Sequence, residues 1–124
     1  MTIASAIDRL DALVYNRLGV EEKVAWLSEL DGIIYRENLS THLETAGKGF
    51  PGYHGGTPMS KALLVPAPYD RLYIPYLEMR LFDVLGEITR YNNAAQQYNT
   101  ALLAYADQVN RACTPLGQRC LRLV

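Results

Sequence analysis

The feature that most constrains this chain is an apolar rhythm that runs without a change of phase from Asp70 to Arg111. Apolar residues recur in alternating steps of four and three, which is typical of a helix with a coiled-coil-like seam. The seam consists of Leu77, Leu81, Val84, Ile88, Tyr91, Ala95, Tyr98, Leu102, Tyr105 and Val109. So long a helix in a chain of 124 residues cannot bury its whole seam in its own core. The pattern therefore predicts a helical protein that completes its burial against partners.

The middle of this stretch leaves two interpretations open. The rhythm continues through Gly86 and Asn92, which favours one long helix over residues 70–112, bent at one of these points. A break near Gly86 or Asn92 is the alternative. Asp70 is a good N-cap for the helix, and Pro75 falls in the first turns, where the missing N–H costs least.

Two shorter amphipathic helices are predicted within residues 2–38. The first covers about residues 2–15 and is capped by Thr2 or Ser5. The second begins near Val20, after a break. Each has an apolar stripe at helical spacing, formed by Ile3, Ile7, Leu10 and Val14 in the first and by Val24, Leu27, Leu30 and Ile34 in the second.

Glycine and proline dominate the centre of the chain. Five glycines and four prolines lie between Thr45 and Pro68, a density that neither a helix nor a central strand tolerates. Residues 39–69 are therefore predicted to form a long loop. Within it, Ala62–Val65 is expected to form either a short strand or an extended plug over the helices. The segment GKGFPGYHGG lacks the spacing of a phosphate-binding loop.

Together these patterns predict an all-α fold, a small helical bundle that forms a single domain over residues 1–124. An extended tail is expected at residues 113–124, after the long helix. The tail alternates basic and apolar side chains, which suits its addition as a strand to the sheet edge of a partner; the residues concerned are Arg119, Leu121, Arg122 and Leu123. A disordered end is the alternative.

No residue pattern indicates catalysis, a metal site or a cofactor. His42 and His54 are the only histidines, and neither has an acidic partner at metal-binding spacing on a clear helix. None of the four serines lies in a Gly-x-Ser-x-Gly motif. Cys113 and Cys120 lack zinc-knuckle spacing and are expected to be free thiols, with a disulfide as the alternative. We expect a protein that is not an enzyme and binds no cofactor.

Charge and hydropathy narrow the class of partner. The net charge of -1 argues against a dedicated nucleic-acid-binding protein, which usually carries a basic excess, but does not exclude a surface that DNA merely passes. No apolar run is long enough to span a bilayer, so a cytoplasmic origin is the default expectation. The nine tyrosines suit protein interfaces, where amphipathic aromatic side chains are enriched.

Three stretches of the chain carry a resemblance to a known family. They are EEKVAWLSELDGIIYRE at 21–37, ALLVPAPYDRLYIPYL at 62–77 and ITRYNNAAQQYNTALLAYADQVNR at 88–111. In this order they resemble head-to-tail adaptors, also called connector or neck proteins, encoded in the head-morphogenesis regions of tailed bacteriophages and prophages. LLVPAPYD and RYNN are the most specific segments. The chain departs from the family pattern at Pro75 and in its glycine-rich loop.

The resemblance implies a structural virion protein, assembled in the host cytoplasm and located in the neck between head and tail. Such adaptors form a homo-oligomeric ring, usually dodecameric, that binds the portal protein, extends the DNA channel and docks the next neck or tail protein. The tail residues Arg119, Leu121, Arg122 and Leu123 are then expected to dock on the portal. The seam residues Tyr91, Tyr98, Leu102 and Tyr105 are expected to be buried, within the protomer or between neighbours. The alternative is a small regulatory or scaffolding protein that dimerises through its long helix.

Overall fold

The structure, a computed structural model, describes residues 1–42 and 49–112. Its four α-helices are α1 (Ile3–Leu13), α2 (Val20–Ile34), α3 (Tyr73–Leu85) and α4 (Ile88–Ala112). A π-helical turn, Tyr35–Leu39, extends α2, and a 3-10 turn, Tyr69–Leu72, leads into α3. An isolated β-bridge joins Thr2 and Ala62. The all-α prediction is confirmed.

The first two helices form where their apolar stripes predict them. Thr2 begins α1 in a capping box: its side chain accepts a hydrogen bond from the Ser5 N–H, and the Ser5 side chain accepts one from the Thr2 N–H. The Nζ of the buried Lys23 on α2 lies 2.7 Å from Asp11 on α1 and ties the two helices together. Burial of the two stripes against α3 forms one side of the core.

The C-terminal stretch is a helical hairpin, so the single long helix favoured by the rhythm is wrong and the alternative break near Gly86 is what occurs. Gly86 ends α3 with a φ of +75°, a left-handed conformation that strains any residue with a Cβ. After it, α4 runs back along α3, and Tyr76 pairs with Tyr98 at a ring-centroid distance of 5.2 Å. The apolar spacing continues through Gly86 without a change of phase because α3 and α4 each have an apolar stripe that faces the other helix.

The start of α3 also differs from the prediction. Asp70 is not its N-cap, because α3 begins at Tyr73 and no side chain caps it. Asp70 lies instead in the 3-10 turn, where its Oδ2 is 3.3 Å from the amino group of Met1. Pro75 falls in the first turn of α3, as expected, where no intrahelical bond needs its missing N–H.

The described part of the central loop, residues 49–68, covers α1 and α2. We call this segment the plug. The Ile3 N–H donates to the Lys61 carbonyl at 3.1 Å, and the Leu63 N–H donates to the Met1 carbonyl at 3.0 Å. The Leu63 and Val65 side chains are buried in the core. Of the two structures predicted for Ala62–Val65, the plug is therefore confirmed.

Residues 113–124 lie outside the described residues, and with them the predicted docking residues Arg119, Leu121, Arg122 and Leu123. Among the helices that the structure describes, none combines the length and the apolar character that crossing a bilayer requires.

Candidate functional site

Three of the four predicted seam residues meet inside the protomer, between α3 and α4. Tyr105 is only 3% exposed, and Tyr98 and Leu102 are half-buried against the same core. Tyr105 also packs on Tyr69, with ring centroids 6.1 Å apart. Burial raises the pKa of Tyr98 to about 12, so its hydroxyl is neutral at physiological pH. Tyr91 is half-buried near the start of α4, outside this core.

The middle of the seam, by contrast, is exposed on the protein surface. Val84 and Ile88, on either side of the turn at Gly86, are 55% and 74% exposed. Further large apolar side chains are exposed where α1 ends, α2 begins and α3 ends. We call the whole set the apolar end; it comprises Leu13, Tyr15, Val20, Val84, Leu85 and Ile88.

The directions of the helices bring these residues to one end of the bundle. Helix α2 runs antiparallel to α3, because Asp31 on α2 contacts Tyr73 while the earlier Glu29 contacts the later Arg80. The start of α2 therefore lies beside the end of α3. A six-residue connection, 14–19, holds the end of α1 near the start of α2, and the hairpin places the start of α4 beside the end of α3.

The apolar end has an acidic rim. Glu21, Glu22 and Asp83 are exposed there, and within residues 1–42 and 49–112 none of them forms an ion pair. The guanidinium of Arg90 is occupied in two ways, because it lies 3.3 Å from Glu87 and 5.0 Å from the centroid of the Phe82 ring. The exposed Arg17 of the 14–19 connection brings one positive charge to the same end, so the three carboxylates exceed it. A partner that covers the apolar end must therefore supply apolar area and net positive charge together.

A second surface lies about 20 Å away along the hairpin, by the rise of an α-helix. Here a groove of about 560 Å³ separates the start of α3 from the middle of α4. It is lined by both apolar and polar side chains, those of Arg71, Pro75, Gln96, Gln97, Thr100, Ala101 and Ala104. We call it the α3–α4 groove. Leu103, which is 65% exposed, follows Gln96 and Thr100 on the same face of α4 and extends its apolar part.

The most polar feature of the interior is a carboxylate that holds the plug to the helices. Asp31 is fully buried on α2 and accepts hydrogen bonds from the Tyr53 hydroxyl at 2.5 Å, the Tyr73 hydroxyl at 2.6 Å and the Leu64 N–H at 3.1 Å. The Tyr73 hydroxyl in turn accepts from the Val65 N–H at 2.9 Å. We call these five residues the Asp31 cluster. Since Asp31 is enclosed and its oxygens are occupied, the cluster is suited to fastening the plug.

Burial dominates the acid–base properties of this cluster. It raises the pKa of Asp31 above the ordinary value of 3.8, and the hydrogen bonds from Tyr53, Tyr73 and Leu64 offset only part of that rise. Burial, together with the neighbouring carboxylate, also raises the pKa of the Tyr53 and Tyr73 hydroxyls well above their usual range. Both tyrosines therefore stay protonated and remain donors.

The raised pKa of Asp31 predicts how the stability depends on pH. The folded protein holds the Asp31 proton more tightly than the unfolded chain, so this contribution is full below pH 3.8 and is lost as the pH rises through the raised pKa. We expect the unfolding free energy of the wild type, minus that of Asp31→Asn, to fall as the pH rises above 3.8, the ordinary Asp pKa. Urea titrations of both proteins measure it. A difference that rises with pH contradicts the assignment.

The Asp31 cluster was not predicted from the sequence. Three other carboxylates of the same helix, Glu21, Glu22 and Glu29, are exposed, but Asp31 is buried. A signal was available, because Asp31 lies between Leu27 and Ile34 on the apolar face of α2. Its donors come from segments 22 to 42 residues further along the chain, which no local pattern connects to it.

The described residues include no group of three or more His, Cys, Asp or Glu side chains arranged to hold a metal ion. Two surface features of the described residues suit recognition by a partner, the apolar end and the α3–α4 groove. Comparison with known proteins adds no relative: no family model, no curated protein and no solved structure matches the chain.

Proposed function

We propose that this chain is a head-to-tail adaptor of a tailed bacteriophage, a structural protein of the neck. It binds the portal protein, forms a ring, dodecameric in the resembling family, and docks the next neck or tail protein. DNA passes through the ring without sequence-specific binding. Assembly takes place in the host cytoplasm, and no membrane is involved.

The observation that carries this proposal is the apolar end. Six large apolar side chains are exposed at that end of the bundle, although the fold has a core of its own. Exposed apolar side chains concentrated in one place, with a polar rim, are typical of protein-binding sites. A protein with such a surface, and with no arranged chemical site among its described residues, fits a role in assembly.

The geometry also supports treating the three resembling stretches as one unit. Asp31 belongs to the first stretch, and its partners Leu64 and Tyr73 belong to the second. Tyr76 of the second stretch packs on Tyr98 of the third. The residues that carry the resemblance therefore form the contacts that hold the helices and the plug together.

The same geometry removes the main support for the alternative, a regulatory or scaffolding dimer. That interpretation depends on a long continuous helix with a free seam. Because the seam folds back at Gly86, its residues Tyr98, Leu102 and Tyr105 pack within the protomer and are not offered to a second copy. The adaptor proposal does not depend on a continuous helix.

The direct test uses DNA-filled heads that carry the portal but were produced without this protein. We expect purified chain to sediment with these heads and to appear as an added ring below the portal in averaged electron micrographs. Shells assembled without portal are the matched control and should bind none. Equal binding to both kinds of particle, or binding to neither, contradicts the proposal.

The portal-docking role of Arg119, Leu121, Arg122 and Leu123 stays a prediction. Removal of residues 118–124 is expected to leave the melting temperature and the circular dichroism of the helices unchanged, and both measurements serve as the folding control. We expect the truncated protein to lose sedimentation with portal-bearing heads. Loading at the level of the full chain would show that the docking residues lie elsewhere.

A further inference from the structure

We propose that the apolar end of one copy of this chain docks into the α3–α4 groove of a second copy, with Asp83 of the first paired to Arg71 of the second. The inference deepens the proposed ring, and to that extent rests on it, because it names the contact by which neighbouring protomers recognise each other. The contact itself is a property of the purified chain and is testable without portal or heads.

Charge decides which surface covers the apolar end. Two copies meeting end to end would bring Glu21, Glu22 and Asp83 of one rim against the same side chains of the other. None of these carboxylates has an ion-pair partner in the part of the chain that the structure describes. Like charges brought together at an interface cost free energy and suppress the wrong pairing. The exposed Arg17 on the 14–19 connection can offset only one of the three carboxylates, so a symmetric end-to-end dimer is disfavoured.

The α3–α4 groove has the complementary properties. Arg71 is exposed at the groove and forms no ion pair within residues 1–42 and 49–112, so its guanidinium is available to a carboxylate. Pro75, Ala101 and Ala104 supply apolar walls, and the exposed Leu103 continues them at the rim. At about 560 Å³, the groove falls within the size range of sites that enclose small ligands or side chains.

The turn between α3 and α4, residues 83–88, carries side chains that complement the groove; we call it the hairpin tip. Asp83, Val84, Leu85 and Ile88 lie within six residues of chain around the turn at Gly86, and all four are exposed. The apolar members enter the groove, and the carboxylate reaches the arginine at its edge. A charged pair beside an apolar contact fixes the register between the copies.

The two surfaces lie at different places on the protomer, so each copy can offer its tip to one neighbour and its groove to another. Repeated in this heterologous way, the contact produces a closed ring or an open filament. Each contact covers one hairpin tip and one groove, which is small for a stable interface, so we expect weak association of the chain alone. Docking on a pre-existing symmetric platform raises the local concentration of neighbours and makes weak contacts sufficient.

The experiment is a charge exchange read by sedimentation velocity at low ionic strength. Arg71→Glu places a carboxylate at the groove of one variant, and Asp83→Arg places a guanidinium at the tip of the other. We expect the wild type to self-associate with rising concentration, and each variant alone to have its dissociation constant raised at least tenfold. Mixing the two variants restores association, because each tip then meets a groove of opposite charge.

Two further variants control this result. Arg9→Glu changes the same kind of charge on the exposed side of α1 and should leave self-association as in the wild type. Ile88→Asp removes the most exposed aliphatic side chain of the tip and should abolish it, with mixing giving no rescue. Circular dichroism and melting temperature confirm that every variant is folded.

Three outcomes overturn the contact: a wild type that stays monomeric at millimolar concentration, an Arg71→Glu variant that associates normally, or a mixture that fails to associate. The second would indicate the symmetric end-to-end dimer. Sedimentation with portal-bearing heads separates this result from the proposed function. If the protein sediments with portal-bearing heads but the charge-exchange variants behave like the wild type, only the contact between copies is overturned. If the contact is confirmed but the protein does not sediment with the heads, only the adaptor role is overturned.

Discussion

Replacement of Asp31 by alanine is expected to lower the free energy of unfolding by about 3–5 kcal/mol. Three buried donors, the hydroxyls of Tyr53 and Tyr73 and the N–H of Leu64, would lose their acceptor, at about 1–3 kcal/mol each. Release from burying a charged carboxylate offsets part of this loss. Unfolding in guanidinium chloride, followed by circular dichroism, measures the change.

Asp31→Asn separates the charge from the shape of the side chain. An amide keeps one acceptor oxygen, so it cannot receive all three donors, and its NH₂ group must face a hydroxyl or the Leu64 N–H. We expect this variant to lose about 1–3 kcal/mol, less than the alanine variant. Glu29→Ala, which removes an exposed partner of Arg80 on the same helix, should cost under about 1 kcal/mol.

The position of the plug provides a second measurement, independent of global stability. Lys61 is exposed in the plug, yet its carbonyl is held by the Ile3 N–H. If the Asp31 cluster fastens the plug, Asp31→Ala should accelerate tryptic cleavage after Lys61 under conditions where the helices remain folded. Unchanged cleavage, together with an unfolding midpoint equal to that of the wild type, would show that Asp31 has no fastening role.

The N-terminal half of the fold could be predicted from the sequence because its information is local. The stripes of α1 and α2 recur at helical spacing, and Thr2 precedes the first stripe as a cap should. Periodicity reports which face of a helix is apolar, but it does not report which element covers that face. The existence and position of each helix could therefore be predicted from the pattern, but the elements that pack against it could not.

The hairpin at Gly86 shows why a continuous pattern is not a continuous helix. Glycine lowers helix propensity only moderately, so a single Gly86 left the break as an alternative. The decisive factor is tertiary packing. When α4 folds back along α3, Tyr76 packs on Tyr98, whereas in one straight helix these two rings could not meet. The exposed centre of the seam, at Val84 and Ile88, is a direct consequence of that turn.

The Asp31 cluster is the part of the structure that depends most on long-range packing. A carboxylate on an apolar face indicates burial, but its three donors are brought to it only after α3 has docked on α2 and the plug has closed. Charge alone likewise gave no sign of the apolar end. The net charge of -1 conceals an acidic rim at one end and, beside the groove, an Arg71 that forms no ion pair with any described residue.

The other large effect is expected at Tyr105. Its ring is almost fully buried, packs on Tyr69 and fills the space between α4 and the 3-10 turn that leads into α3. Tyr105→Ala removes this aromatic volume and leaves a cavity that the surrounding helices cannot fully collapse. We expect a loss of about 3–5 kcal/mol in the free energy of unfolding, measured by denaturant titration.

Two variants show whether that loss comes from the buried ring. Tyr105→Phe keeps the ring and removes only the hydroxyl, so it should cost about 0.5–1.5 kcal/mol. Tyr91→Ala truncates the same residue type on the same helix, but at a half-buried position outside the core, and should cost about 1 kcal/mol. Equal losses at Tyr91 and Tyr105 would mean that the two halves of α4 are equally packed. That result would contradict the hairpin register set by the pairs Tyr76–Tyr98 and Tyr69–Tyr105.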